Sequence, residues 1–161
     1  MNYKNKIFNS ANASCLKKIK AWKEKENIIV FTNGCFDIIH AGHVEYLHEA
    51  KKLGHKLIVG LNSDASVKRL KGDTRPVNSQ LFRAEVLAFM GDIDMVVIFN
   101  EDTPYELIST IMPDVLVKGG DWKADQIVGS DLVLGKGGIV RSLKFREGFS
   151  TTSIIERIHG N

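Results

Sequence analysis

The residues most able to do chemistry lie in Thr32-Asn33-Gly34-Cys35-Phe36-Asp37-Ile38-Ile39-His40-Ala41-Gly42-His43. This stretch follows an apolar run, Ile28 to Phe31, and precedes a segment with helical periodicity carried by Tyr46, Leu47, Ala50 and Leu53. A glycine at a strand end lets backbone approach a ligand closely, and the free N–H groups of the next helix make an anion site. Phosphate fits such a place. His43 falls in the first helical turn and His40 just before it, so both imidazoles can converge on a phosphate as N–H donors. Two other readings stand beside this one. Cys35, Asp37, His40 and His43 could ligate zinc, although structural zinc sites show paired Cys or His-x₃₋₅-His spacing. The histidines could also simply cap or pack the turn.

Further groups lie beyond the second apolar run. Lys68, Arg69 and Lys71 form a basic cluster, and Gly72, Asp73 and Pro76 break any helix there, which predicts Lys71 on a flexible loop able to close over a ligand. The alternative is a solvated charged face. Lys118-Gly119-Gly120-Asp121 follows the fourth run, where backbone could read a base or ribose, or where Gly-Gly could only make a turn. Ser150-Thr151-Thr152-Ser153 opens a last helix. One cap needs one hydroxyl, and Ser153 with Glu156 supplies a capping box; the spare hydroxyls and the helix dipole suit outer phosphates. Asn62, Asp64 and Asp121 are candidates for reading hydroxyls, though each could cap a helix or close a turn.

The elements that must position these groups are legible as alternation. Ile28 to Phe31, Leu57 to Leu61, Met95 to Phe99, Val115 to Val117 and Ile139 to Leu143 read as five buried strands. Between them lie helical patterns such as Phe82, Val86, Phe89 and Met90. Buried strands separated by helices imply α/β architecture with one doubly wound five-stranded parallel sheet, whose ligands bind at the carboxyl ends of the strands. The site is therefore expected just after Phe31, Leu61 and Val117. A helix near Ala11 to Lys25 carries Cys15, Leu16, Ile19 and Trp22 on one stripe, to pack on the sheet or on a second subunit. We divide the chain into an N-terminal helical extension, residues 1–26, and a main domain, residues 27–161. Lys136 amid Gly135, Gly137 and Gly138 lacks the following Ser or Thr of a Walker P-loop and reads as a turn.

Composition sets the outer limits. A chain of 161 residues, 43% hydrophobic and 25% charged, suits one compact soluble domain and excludes disorder and collagen-like structure. Net charge is +3, far from the concentrated basicity of a nucleic-acid binder. Cys15 and Cys35 are the two cysteines, so no disulfide framework is expected. No apolar run reaches signal-peptide or membrane-span length, which leads us to expect a cytoplasmic protein.

The His40-Ala41-Gly42-His43 segment resembles the His-x-Gly-His motif of the nucleotidyltransferase superfamily that includes cytidylyltransferases and, more distantly, the much larger class I aminoacyl-tRNA synthetases. The resemblance runs from about Ile28 to Ile158. Asn62-Ser63-Asp64, Lys68 to Asp73, Thr74-Arg75-Pro76-Val77-Asn78, Val117 to Trp122 and Ser150-Thr151-Thr152 occur in order. Together they are similar to the adenylyltransferases that activate D-glycero-β-D-manno-heptose 1-phosphate to ADP-heptose for lipopolysaccharide core or related surface glycans. That family is often fused to a kinase half, so the chain looks like a stand-alone form.

The resemblance implies a Rossmann-like fold, with His40, His43 and Lys71 at the reacting phosphates. It implies nucleotide contacts from Thr32, Asn33, Gly34, Phe36, Asp37, Lys118, Gly119, Asp121, Ser150, Thr151 and Thr152. Sugar phosphate would be met by Lys68, Arg75, Arg83, Asn62 and Asp64, with an ordinary snorkelling side chain as the other reading of Arg83. It further implies Mg²⁺ with ATP, no metal held by the protein, and a homodimer or higher homo-oligomer, without nucleic acid or membrane as partner. One departure separates the chain from glycerol-phosphate cytidylyltransferases, which place an arginine where Phe145 stands; Arg146 is one residue later. A cytidylyltransferase of an alditol phosphate and a non-catalytic nucleotide-binding module remain the alternatives.

Overall fold

A computed structural model describes residues 3–144, 151–158 and 160. Among these residues six strands form one parallel sheet: β1 (Ile7–Phe8), β2 (Ile29–Gly34), β3 (Lys56–Asn62), β4 (Met95–Phe99), β5 (Val115–Gly119) and β6 (Ile139–Leu143), in the order β1-β4-β3-β2-β5-β6. The five expected strands are present, and the expectation of five is corrected to six by β1. Two residues are too short to show alternation, and they become a strand only because Ile7 and Phe8 pair with Val96 and Val97.

The central strands are buried on both faces, and successive residues turn to opposite cores, as the period of two requires. Val30, Leu57, Val59 and Val96 face one core with Tyr46 and Leu47 of α2 (Ala41–Lys51) and Leu87 of α4 (Gln80–Phe89). Ile29, Phe31, Ile58 and Met95 face the other, with α1 (Ala13–Lys23) and α5 (Tyr105–Ile111). The stripe on α1 packs on this second core. Cys15 and Ile19 are buried there, with Leu16 and Trp22 partly so. Burial pushes the Cys15 thiol up to about 11, which leaves it protonated and inert as a nucleophile.

Two local features bear on the site. α3 (Asp64–Lys71) is capped by the Ser63 hydroxyl, which accepts from the Ser66 N–H, and stops at Gly72, whose φ of 93° suits glycine. Lys71 is therefore the last residue of a helix, not a loop residue: Gly72 and Pro76 stop the helix after it rather than preventing it. At the other end of the sheet, α6 (Ser130–Gly135) gives way to β6 through a turn, as read from its glycines. Among the described residues no helix is long and apolar enough to cross a membrane.

Candidate active site

β2 continues past Phe31 to Gly34, and its last residues carry the chain into the histidine segment. Gly34 is needed sterically, since a Cβ there would lie 2.9 Å from Phe36 Cε2. Phe36 itself adopts φ 44°, a left-handed conformation that tertiary contacts must hold. His40 is the N-cap of α2, yet its side chain makes no capping bond to the helix. Its ring lies beside that of His43 instead, with centroids 4.0 Å apart and planes inclined by 31°, while Phe36 stands 5.4 Å from His43 on another side.

Burial lowers the His43 imidazole to about 4, helped by His40 and by the charge of Lys71. Burial lowers His40 as well. Both rings are thus set to be neutral near pH 7, each offering one N–H. In an NMR titration the His43 ring should titrate at about 4, and addition of a nucleoside triphosphate should raise that midpoint, because an anion favours the imidazolium. A midpoint at the ordinary histidine value would mean the ring is solvated.

A buried polar hub fixes this loop. The Asp37 carboxylate accepts from Arg75 Nε at 2.7 Å, Val77 N at 2.9 Å and Asn78 N at 2.8 Å, and the Asn78 amide donates back to the Asp37 carbonyl at 2.7 Å. Burial pushes the Asp37 carboxyl up, but the Asn78 and Val77 amides and the Arg75 guanidinium outweigh it and leave it below its ordinary value. Arg83 is 1% exposed. It donates to the carbonyls of Asn78 at 2.9 Å, Cys35 at 2.6 Å and Asn62 at 2.9 Å, and to Asp64 Oδ1 at 2.7 Å. Neither Arg83 nor Asp64 lines the main cleft. The Asn62 side-chain amide does line it and also donates to Ser66 Oγ. Sequence reasoning missed this hub because an arginine beside an apolar stripe usually snorkels.

The cleft has a volume of about 430 Å³. Its floor is the carboxyl ends of β2, β3 and β5, at Asn33, Gly34, Asn62, Lys118 and Gly119, as the parallel sheet requires. Phe36, Asp37 and His43 form one wall, with Tyr46 behind, whose hydroxyl lies 2.5 Å from Thr32 Oγ1. Lys71, Arg75 and Thr151 of α7 (Thr151–Ile158) complete the lining, with Arg75 held against Asp37. Asp102, Thr103, Pro104 and Trp122 also line the cleft. The loop after β4 carries no motif that signals a site, and Trp122 stands only at the end of the Val117 to Trp122 block.

Charge in the cleft is positive on balance. Asp37 is paired with Arg75 and Asp102 with Arg69, whereas Lys71 and Lys118 have no ion-pair partner among the described residues. Burial lowers the Lys118 ammonium. Lys68 lies off the cleft, exposed and paired with Asp73 at 3.2 Å, and Asp121 is exposed outside its lining. Ser150, Phe145, Arg146 and the Thr152 side chain lie outside the described residues. Among the described residues no three His, Cys, Asp or Glu side chains gather as a candidate metal site, and Asp37 is bonded within the hub. Lys71→Ala should lower turnover well below what Lys68→Ala or Arg69→Ala does, since only Lys71 of the three lines the cleft; equal, small losses in kinetics would show a solvated face.

Comparison with known proteins places the chain in a family. The chain is 56% identical over 148 residues to the bifunctional protein HldE of Wolinella succinogenes, covering 92% of this chain and 30% of that protein. It is 57% identical over 157 residues to the same-named protein of Campylobacter concisus, covering 92% and 32%. The chain thus spans under a third of the length of these curated relatives. The crystal structure of the lipopolysaccharide core biosynthesis protein from Thermoplasma volcanium GSS1 superposes with a TM-score of 0.59 at 27% identity, covering 74% of this chain and 97% of that one. Residues 31–157, from within β2 to the penultimate residue of α7, match the cytidylyltransferase-like family, and the chain belongs to that family of nucleotidyltransferases.

Proposed function

We propose that the protein transfers AMP from ATP to D-glycero-β-D-manno-heptose 1-phosphate, releasing pyrophosphate and forming ADP-heptose. The observation that carries nucleotidyl transfer is the His40–His43 ring pair, 4.0 Å apart, at the start of α2 beside a cleft where Lys71 and Lys118 meet three strand ends. Heptose as acceptor is supported by the sequence blocks from Asn62 to Thr152, by identity above half to proteins named HldE, and by the neighbour named for lipopolysaccharide core biosynthesis.

In the reaction an oxygen of the sugar phosphate forms a bond to the α-phosphorus of ATP. The bond from that phosphorus to the bridging oxygen breaks, and pyrophosphate leaves with the electron pair. A phosphate monoester with a second pKa near ~6 is already largely deprotonated at neutral pH, so the site needs no general base. It needs alignment of two anions and donors for charge that develops in flight. The His40 and His43 N–H groups and the α2 N-terminus supply the donors, and Lys71 and Lys118 offset the repulsion. Magnesium would enter with ATP and neutralise charge on its phosphates; Asp37 and Asp102 are paired with arginines, so among the described residues the cleft offers no free carboxylate pair, and the ion would rely on phosphate oxygens and water.

The exposed Leu81, Phe82, Val86 and Phe89 on α4 support the homo-oligomer implied by the resemblance, which sedimentation will check. The test of the substrate pair is a screen of nucleoside triphosphates against sugar and alditol phosphates at matched Mg²⁺. ATP with the heptose 1-phosphate should give the highest kcat/KM. A value for CTP with glycerol 3-phosphate equal to or above it would replace this reading with the cytidylyltransferase one, and absence of pyrophosphate release from every pair would leave a binding module.

A further inference from the structure

A second chamber opens behind the cleft. It has a volume of about 540 Å³ and is lined by Ile38, Thr74, Val77, Ile155, Glu156 and Ile158, together with Lys71 and Arg75. Those last two residues also line the first cleft, so the chambers share a cationic wall. α7 runs along both, with Thr151 on the first and Ile155 and Glu156 on the second. The Thr151 hydroxyl lies 3.5 Å from the Ile38 carbonyl, which ties that helix to the histidine loop.

We infer that this second chamber receives the hydroxyl-rich body of the acceptor phosphate, with Thr74 and Glu156 as its specificity-determining residues. The inference rests on the nucleotidyl-transfer reading above and extends it to where the acceptor sits. Transfer joins two phosphates that enter from different molecules, so their binding sites must meet at cations. Lys71 and Arg75 are where the two chambers meet. Arg75 gives its Nε to Asp37, which holds the guanidinium in place while its terminal nitrogens make no other hydrogen bond among the described residues.

Two of the polar groups expected from sequence to read the acceptor already have partners, and the third, Asp121, is exposed outside both chambers. Asp64 is bonded to Arg83, and the Asn62 amide to Ser66. The second chamber supplies what a sugar needs in their place. A carboxylate such as Glu156 accepts from vicinal hydroxyls, a threonine hydroxyl donates or accepts, and Ile38, Val77 and Ile155 offer apolar cover for a C–H face. The negative charge of Glu156 also disfavours a second phosphate in the chamber, which fixes the direction of the acceptor: phosphate toward Lys71 and Arg75, carbon skeleton toward α7.

The test is steady-state kinetics of the full chain with magnesium ATP and D-glycero-β-D-manno-heptose 1-phosphate, alongside thermal melts. Glu156 and Thr74 are exposed, so Glu156→Gln and Thr74→Val should melt like the parent. Each should raise KM for the sugar phosphate about 10-fold or more, the loss of one hydrogen bond to a charged or polar partner, while KM for ATP moves less than about 2-fold, a fraction of one such bond. Wild-type transfer with an unchanged sugar-phosphate KM in both variants would overturn the placement alone. Equal rises in both KM values would also overturn it, by assigning these residues to the shared phosphates. Failure of the wild-type chain to transfer to any sugar phosphate would overturn the functional reading, and this inference with it.

Discussion

Replacing His43 by alanine should lower kcat by about 10²- to 10³-fold, the loss expected when one donor to a developing charge is removed from a site shielded from water. His40→Ala should do nearly the same, and the double variant little worse than either, because residues that act as a unit give non-additive losses. KM for ATP should change far less, since the strand-end backbone, Lys71 and Lys118, which line the cleft, would remain to hold the nucleotide. The fold should tolerate the His40 change, because its side chain does not cap α2. Near wild-type turnover in both single variants, measured by pyrophosphate release, would remove the histidines from the mechanism.

The largest effect on stability should come from Arg83→Ala. It leaves the carbonyls of Cys35, Asn62 and Asn78 without their donor in the interior and strips Asp64 of its partner. Breaking a buried charged network by removing one partner costs about 3–5 kcal/mol, read as a lower midpoint in urea. Arg83→Lys should recover little, since one ammonium cannot reproduce the planar fork. The resemblance instead implies a contact with the acceptor phosphate, and the two roles separate cleanly: a variant with parental stability and a raised sugar-phosphate KM would show the contact. Asp37 adds a pH dependence to the same hub. Its folded pKa lies below the ordinary value, so its contribution is present above the unfolded pKa of about 3.9 and is lost as pH falls through the folded value. Asp37→Asn should flatten acid unfolding in that range.

The histidine pair was legible because its residue types are chemically loaded and its position, between an apolar run and a helical period, is a purely local signal. The five principal strands were legible for the same reason. What was not legible depended on distant partners. Thr32-Asn33-Gly34 is a poor strand sequence, yet it extends β2 because β3 runs beside it in register from Ile29↔Lys56 to Gly34↔Leu61. Lys71 looked like a loop residue because the breakers after it are strong, whereas the Ser63 cap that starts its helix is a single weak letter. Arg83 gave no sign of burial, since the carbonyls it bonds come from three segments far apart in sequence, at Cys35, Asn62 and Asn78. The second chamber was invisible for a related reason: Thr74 and Glu156 are brought together only by the docking of α7.

The short edge strand has a consequence for anyone who trims the chain. β1 covers β4 only at Val96 and Val97, yet it is what stands between the hydrogen-bonding edge of that apolar strand and solvent. A version beginning at residue 27 would keep every group assigned to the cleft and still present β4 as an open template for another molecule's backbone, the situation that leads to edge-to-edge association. It would also uncover the core surface now shielded by Cys15 and Ile19. Such a truncation should therefore show concentration-dependent light scattering, and charged residues placed on the bared edge should suppress it without restoring the lost core.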